Sequence, residues 1–309
     1  MRAQAEKRET RGFRARLADN ERLLWPAMLA PVIIYIVLLV GFPFCLSLYY
    51  SLTDVSVGAP EMHFVGLKNF SRIVESDTFW QALRNTLIVT GVSQFCVLAL
   101  ANVLAQALLA DFRGKWFVRL LILLPWVAPI SLSAIGWLWI FDSIYSVINW
   151  TGRAVGLFGP GVWPIWLGQP NLAIASIIVV QIWRILPLAT VIILAGLTSI
   201  PQDILDAAEV DGAGFWRKHL QIIAPLILPI ALVALLFGAV FTFTDMIVVF
   251  VLTRGGPYDA TQVLASWAYF TGVQGGDLAG GAAISLFLFP VLAAAAVLLL
   301  RFARRAEVV

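Results

Sequence analysis

Residues 206–229 read DAAEVDGAGFWRKHLQIIAPLILP, a polar, glycine-punctured stretch with two prolines beyond it, set between long apolar runs. The contrast with its flanks decides the fold class. The chain has 309 residues, of which 61% are hydrophobic and only 13% charged, and its mean hydropathy is +0.89. A soluble domain of this length exposes far more charge. Apolar runs long enough to cross a hydrocarbon core of roughly 30 Å recur along the chain. They are too long and too continuous for barrel strands, which alternate over about ten residues. Helices remain, because backbone groups in lipid must be satisfied within the segment. The expectation is an all-α polytopic membrane protein with six transmembrane helices.

The spans are expected at 27–50, 84–110, 117–141, 172–197, 222–251 and 279–302. The first is too long for the apolar core of a cleaved signal and is read as a retained helix. Six spans place both termini on one side. Basic residues fall mainly on that side: Arg2, Lys7, Arg8, Arg11, Arg14, Arg16 and Arg22 in the first tail, then Arg113, Lys115 and Arg119, Arg217 and Lys218, and Arg301, Arg304 and Arg305. The opposite side holds Lys68, Arg72, Arg84, Arg153 and Arg254. The positive-inside rule therefore assigns both termini and the quoted segment to the cytoplasm. The net charge of +3 reflects that orientation and calls for no nucleic-acid partner. Cys45 and Cys96 both lie in apolar spans and are expected as small buried residues; no metal or disulfide spacing occurs.

Three loops face the other side. In 52–83, Asn69, Ser71 and Glu75 suit a short surface helix, with Phe70, Phe79 and Trp80 as interfacial anchors. The loop 142–171 is rich in Trp, Gly and Pro and is expected as a structured cap, with Trp163 and Trp166 at headgroup level. In 253–277, Arg254-Gly255-Gly256-Pro257 signals a turn. Prolines within spans (Pro125, Pro129, Pro187, Pro225, Pro229 and Pro290) predict kinks.

Ionisable groups inside a membrane default to a functional reading. Arg184 sits mid-span beside Gln181 and Trp183. Asp245 follows Phe241, Thr242, Phe243 and Thr244 in the outer half of the fifth span, and Thr242 shares its helix face. Hydrogen-bonding groups beside aromatic rings suit a sugar; equally, Arg184 and Asp245 can pair with each other as bundle glue. Gln94, Asn102 and Gln106 recur at helical spacing and read as interhelical hydrogen-bond partners. Enzyme chemistry finds no constellation. The two histidines, His63 and His219, lie in loops on opposite sides, no HExxH occurs, and no GxxxxGK[ST] marks a nucleotide site. A secondary transporter would carry an inverted repeat and more buried carboxylates, and neither is visible.

In the quoted segment, Ser199 and Gln202 predict a capping box that opens a helix with Pro201 in its first turn. Gly212 ends it, and Ala213–Leu220 predicts a second short helix at a new angle. Ala207 and Ala208 leave a thin surface for another protein's backbone. This L-shaped element suits either a partner's grip or an amphipathic helix lying on the membrane.

The segment resembles the EAA motif of permease subunits of binding-protein-dependent ABC importers. Asp206-Ala207-Ala208, then Gly212, Ile222 and Pro225, stand at that spacing, with Asp206 in place of Glu and Ala224 in place of Leu. Asp211-Gly212-Ala213 with Phe215-Trp216, FVGLKNF at 64–70 and LTRGGPYDAT at 252–261 are similar to the carbohydrate branch of the MalF/UgpA type. The resemblance implies a MetI-like permease domain over 27–302 between tails at 1–26 and 303–309, with coupling helices at 199–221. It implies that Asp206, Ala207, Ala208, Asp211, Gly212, Ala213 and Phe215 dock on a cytosolic ATPase. Solute contacts are implied near Arg184, Ile185, Leu188, Gly238, Phe241, Thr242 and Asp245. Implied partners are a second, different permease, two ABC ATPases that use ATP and Mg, an extracellular or periplasmic solute-binding protein, a sugar and membrane lipid. The chain itself is expected to bind no cofactor or metal, to be no enzyme, and to sit in the cell (inner) membrane. A polyol or glycerol-phosphate importer is the alternative within the class.

Overall fold

A computed structural model describes residues 21–306 apart from positions 60, 160 and 162. The expected tails at 1–20 and 307–309 lie outside the described residues. Among the described residues the chain is helical, with one isolated β-bridge between Thr53 and Phe64. In chain order, α1 (Glu21–Ile36) runs through a π-turn into α2 (Phe42–Ser51), and α3 is Lys68–Val74. Then follow α4 (Asp77–Leu109), α5 (Lys115–Val127), α6 (Ile130–Ile140), α7 (Val147–Ala154) and α8 (Pro170–Thr198). The last are α9 (Gln202–Val210), α10 (Phe215–Arg217), α11 (Ala224–Phe243), α12 (Ile247–Leu252), α13 (Leu264–Tyr269) and α14 (Leu278–Ala306).

Five of the expected spans are single apolar stretches long enough to cross a membrane: Met28–Ser51, Asp77–Leu109, Pro170–Thr198, Phe215–Phe243 and Leu278–Phe302. The third span carries the kink expected at Pro129, and it is a full break. It is two helices, α5 and α6, bent by 97°. Pro129 is the cause: it forces Ala128 out of the helical region, to ψ 138°, and supplies no N–H to carry the ladder onward. The bent pair still joins the two ends of the bundle. Arg119 of α5 lies in a groove with Leu108 and Thr198, at the last turns of α4 and α8. Phe141, just after α6, packs with Ile177 and Leu252 at the other end.

Helices α4 and α8 run side by side in the same direction, and α11 leans on both. Their shared core joins Val97, Ala101 and Ala105 to Ile185, Ala189, Ile193, Leu197, Ile227 and Ala234. The alanines matter here. In lipid no hydrophobic drive separates helix from solvent, so small residues that admit close backbone approach hold the contact. The span formed by α1 and α2 buries none of its apolar window and meets the bundle along α14, where Phe44 and Phe289 rings lie 6.1 Å apart. Cys45 on α2 is accordingly exposed and Cys96 only partly covered, against the expectation of burial.

Asn69 of α3 is buried and donates from Nδ2 to the carbonyls of Ser51 and Thr53, at 2.9 and 2.7 Å, tying the surface helix to the end of α2. Phe79 is no interfacial anchor. It lies buried against Trp80, Trp267 and Phe287, while Trp80 is exposed. Helix α4 begins at Asp77, earlier than the expected 84, because Ser76 is extended and ends the preceding turn.

Candidate functional site

The polar centre of the bundle lies where α11 stops. Thr244 closes α11, and Asp245 stands in the gap before α12. The fifth span is therefore not continuous to 251 as expected. Asp245 holds the break together: its Oδ1 accepts from the backbone N–H of Ile247 at 2.6 Å and of Val248 at 3.4 Å. A carboxylate in this position satisfies the donors that a new helix leaves open. Its other oxygen, Oδ2, accepts from Gln181 Nε2 at 3.0 Å and from Arg184 Nη1. The Asp245 side chain is 3% exposed and that of Arg184 is 19% exposed. The ion pair is thus shut on the carboxylate side and open on the guanidinium side.

A second bond lies one helical turn back. Gln94 of α4 donates from Nε2 to Thr242 Oγ1 at 2.9 Å. Gln94 is thereby the interhelical partner that its spacing suggested. The crossing requires Gly238, since a Cβ there collides with Gln94 Oε1 and presses on Ile185. Among the described residues Gln94 Oε1, Gln181 Oε1 and Ser93 Oγ are buried without a hydrogen-bond partner. Aromatic pairs flank the cluster: Trp126 against Phe241 at 5.3 Å and Trp137 against Trp183 at 5.7 Å.

The seven residues implied as solute contacts are brought to one region but differ in access. Phe241 is exposed, while Arg184 and Leu188 are half-buried. Ile185, Gly238, Thr242 and Asp245 are buried and act in packing or in the polar network. Sequence reasoning missed the role of Asp245 as the cap of α12. The signal was present: an aspartate two residues before a run of Ile, Val, Val and Phe is an N-cap pattern.

At the opposite end of α11 lies the segment 199–221. Helix α9 begins after Pro201, which provides no side-chain cap. The expected capping box does not form. Ser199 instead closes α8, its Oγ donating to the Gly196 carbonyl at 2.7 Å, and Gln202 donates to Asp206 at 2.8 Å. Gly212 ends α9 at φ +71°. The N–H of Ala213 reaches the Ala208 carbonyl at 2.9 Å and that of Gly212 reaches Glu209 at 3.0 Å, a Schellman closure. The second arm is not a separate short helix. Phe215 begins the long span itself, through α10 and a π-turn at Lys218–Ile223. Lys218 Nζ reaches back to Glu209 at 2.6 Å and ties the two arms. Asp206, Ala207, Asp211, Gly212 and Phe215 are exposed and Ala213 half-buried. Ala208 is buried, so the thin outer surface rests on Ala207 alone.

A bundle of bent spans with a polar cluster at a helix break, and an exposed helix-turn element at one end, defines a membrane transport component. Residues 97–307 match the family described as binding-protein-dependent transport system inner membrane component. The chain belongs to that family. It is 32% identical to the sulfoquinovosyl glycerol transport system permease protein SmoG of Agrobacterium fabrum, over 92% of each chain. It is also 32% identical to the trehalose/maltose transport system permease protein MalF of Thermococcus litoralis, over 90% of this chain and 91% of that one. The fold is that of a chain in the crystal structure of a bacterial ABC transporter that imports the acidic polysaccharide alginate, with TM-score 0.77, 23% identity, and coverage of 91% of this chain and 95% of that one.

Proposed function

We propose that the chain is one translocation subunit of an ATP-driven importer for a sugar. The observation that carries this reading is the Gln181–Arg184–Asp245 cluster at the break between α11 and α12. An open guanidinium edge and the exposed Phe241 ring beside Trp126 supply donors and a stacking face for a polyhydroxylated ring, while the unpartnered Gln94 and Gln181 amide oxygens lie buried behind them. Arg184 is already paired with Asp245, which favours an uncharged solute over a glycerol phosphate.

The remaining roles follow from the family and from the exposed element. Both termini and residues 199–221 lie on the cytoplasmic side of the cell membrane. Asp206, Ala207, Asp211, Gly212, Ala213 and Phe215 face an ABC ATPase, with Ala208 packing beneath them. Two such ATPases, a second and different permease, and an extracellular or periplasmic solute-binding protein complete the assembly. ATP and Mg are used by the ATPases. Because the second arm is continuous with α11, a push on the exposed element travels along one helix to Thr242, at the edge of the break that Asp245 holds. Affinity purification of the tagged chain from its native membrane tests the class. Recovery of an ATPase and a second permease is expected; solute uptake by the purified chain alone, without ATP, overturns the proposal.

A further inference from the structure

Between α6 and α8 the chain folds into a cap, 141–169, whose polarity is reversed. Two of its polar side chains, Ser146 and Asn149, point inward, whereas Thr151 is exposed and lines the outer face. Ser146 Oγ donates to the Ile140 carbonyl at 2.7 Å and accepts from the N–H of Asn149. Asn149, buried within α7, donates to the carbonyls of Ser143 and Pro164 and accepts from Trp166 Nε1 at 2.8 Å. Several large apolar side chains point outward: Tyr145 is 84% and Trp150 68% exposed, with Ile144, Val147, Val155 and Leu157 beside them, while Ile148 and Trp166 pack inward. Water would penalise this arrangement, because the helix spends its hydrogen-bonding face on the protein and offers its greasy face to solvent.

An open groove of about 510 Å³ runs along that outer face, lined by Ile140, Val147, Ile148, Val155, Leu157 and Phe158, among others. Ile140 is the last residue of α6, the second arm of the bent third span. The groove therefore begins where that arm of the bent span ends. At its edge Arg153 lies over the Trp163 ring, 3.8 Å from guanidinium carbon to centroid. Tyrosine, tryptophan and arginine side chains of this kind settle at the headgroup level.

We propose that α7 and its flanks form a lipid-docking surface, immersed in the leaflet on the side where α8 begins. Acyl chains fill the groove, and Tyr145, Trp150 and Trp163 mark the boundary with the headgroups. The cap so anchored fixes the outer end of the bent α5–α6 pair, whose hinge at Ala128-Pro129 has no helical hydrogen bonds across it. This surface does not depend on which solute is carried.

The test uses the assembled transporter in lipid nanodiscs, with Cys45 and Cys96 replaced by serine and single spin labels at Val147→Cys, Val155→Cys and Leu157→Cys. All three positions are exposed, so the labels leave the fold intact. Tyr258→Cys, at a site 99% exposed, provides the aqueous reference. Labels on the cap should collide readily with dissolved oxygen and several-fold less than the reference with a polar nickel chelate. Nickel collision equal to the reference overturns the proposal by placing the face in water. Shielding from both reagents also overturns it, by placing the face against protein, such as a partner permease.

Discussion

Asp245 uses its two carboxylate oxygens on different elements: Oδ1 caps α12, and Oδ2 binds Gln181 and Arg184 of α8. One residue thereby fixes a helix start and neutralises a half-buried arginine. Removing one partner of a buried pair typically costs about 3–5 kcal/mol, because a charge is left uncompensated. Asp245→Ala should lower the thermal stability of the purified complex more than Arg184→Met does. The double variant Arg184→Met/Asp245→Asn should recover much of the loss, since the asparagine still caps and no lone charge remains. Uptake should stay depressed in all three. Full uptake by the double variant would remove the pair from the solute site.

Gly238 and Gln94 are matched across α4 and α11. Gly238→Ala drives a methyl group into the glutamine amide, and overpacking of this kind costs about 1–3 kcal/mol. Gln94→Ala in the same chain should restore most of the stability. Failure of that rescue in a melting experiment would mean that Gly238 matters for another contact.

Gly212 needs only its backbone angle. A Cβ there meets nothing within 4 Å, so the penalty for an L-residue is the left-handed conformation alone, roughly 1–2 kcal/mol. Gly212→Asn should support uptake better than Gly212→Ala, and Gly212→Val worst. Equal uptake by all three would show that the Schellman closure of α9 is dispensable.

The Glu209–Lys218 bridge joins the two arms, but Glu209 is 67% exposed at its side chain. Such pairs contribute at most about 1 kcal/mol. The charge-reversed double variant Glu209→Lys/Lys218→Glu should melt within a degree or two of the parent. A large drop in melting temperature would show that the bridge organises the element more strongly than its exposure implies.

Outside the membrane, the backbone N–H of His63 holds the Asp54 carboxyl below its ordinary 3.8, with the imidazole side chain adding to the effect. A depressed carboxylate contributes order above its unfolded pKa and loses it as pH falls through the lower folded value. Protection factors at residues 54–65, corrected for the intrinsic pH dependence of amide exchange, should therefore hold from neutral to mildly acidic pH and fall only in stronger acid. Asp54→Asn should abolish that acid-dependent step.

The helical class was legible because lipid leaves a long apolar run few alternatives; the first, fourth and sixth spans fall within two residues of their expected ranges, while the second and fifth begin seven residues earlier. What hydropathy could not see were the breaks. At 128–129 the average stays apolar while Pro129 turns the chain, and at 244–246 the break rests on one carboxylate. The pairing of Arg184 with Asp245 was one possibility in the sequence, and side-chain direction was needed to see it. Ala208 could not be told from Ala207 by composition, since only the rotation of α9 puts one inside. The reversed polarity of the cap escaped notice for a related reason. Its tryptophans were visible, but the inward bonds of Ser146 and Asn149 depend on how the loop folds back.

The most direct test of the sugar-importer reading is ATP-driven uptake in proteoliposomes. These should hold the chain, its co-purified permease and ATPases, and the solute-binding protein loaded in turn with neutral sugars, polyols and glycerol phosphates. The account predicts uptake and stimulated ATP hydrolysis with a neutral sugar, both lost in Asp245→Ala although the complex still assembles. Uptake of a glycerol phosphate in preference to every sugar, or uptake unaffected by Asp245→Ala, would contradict it.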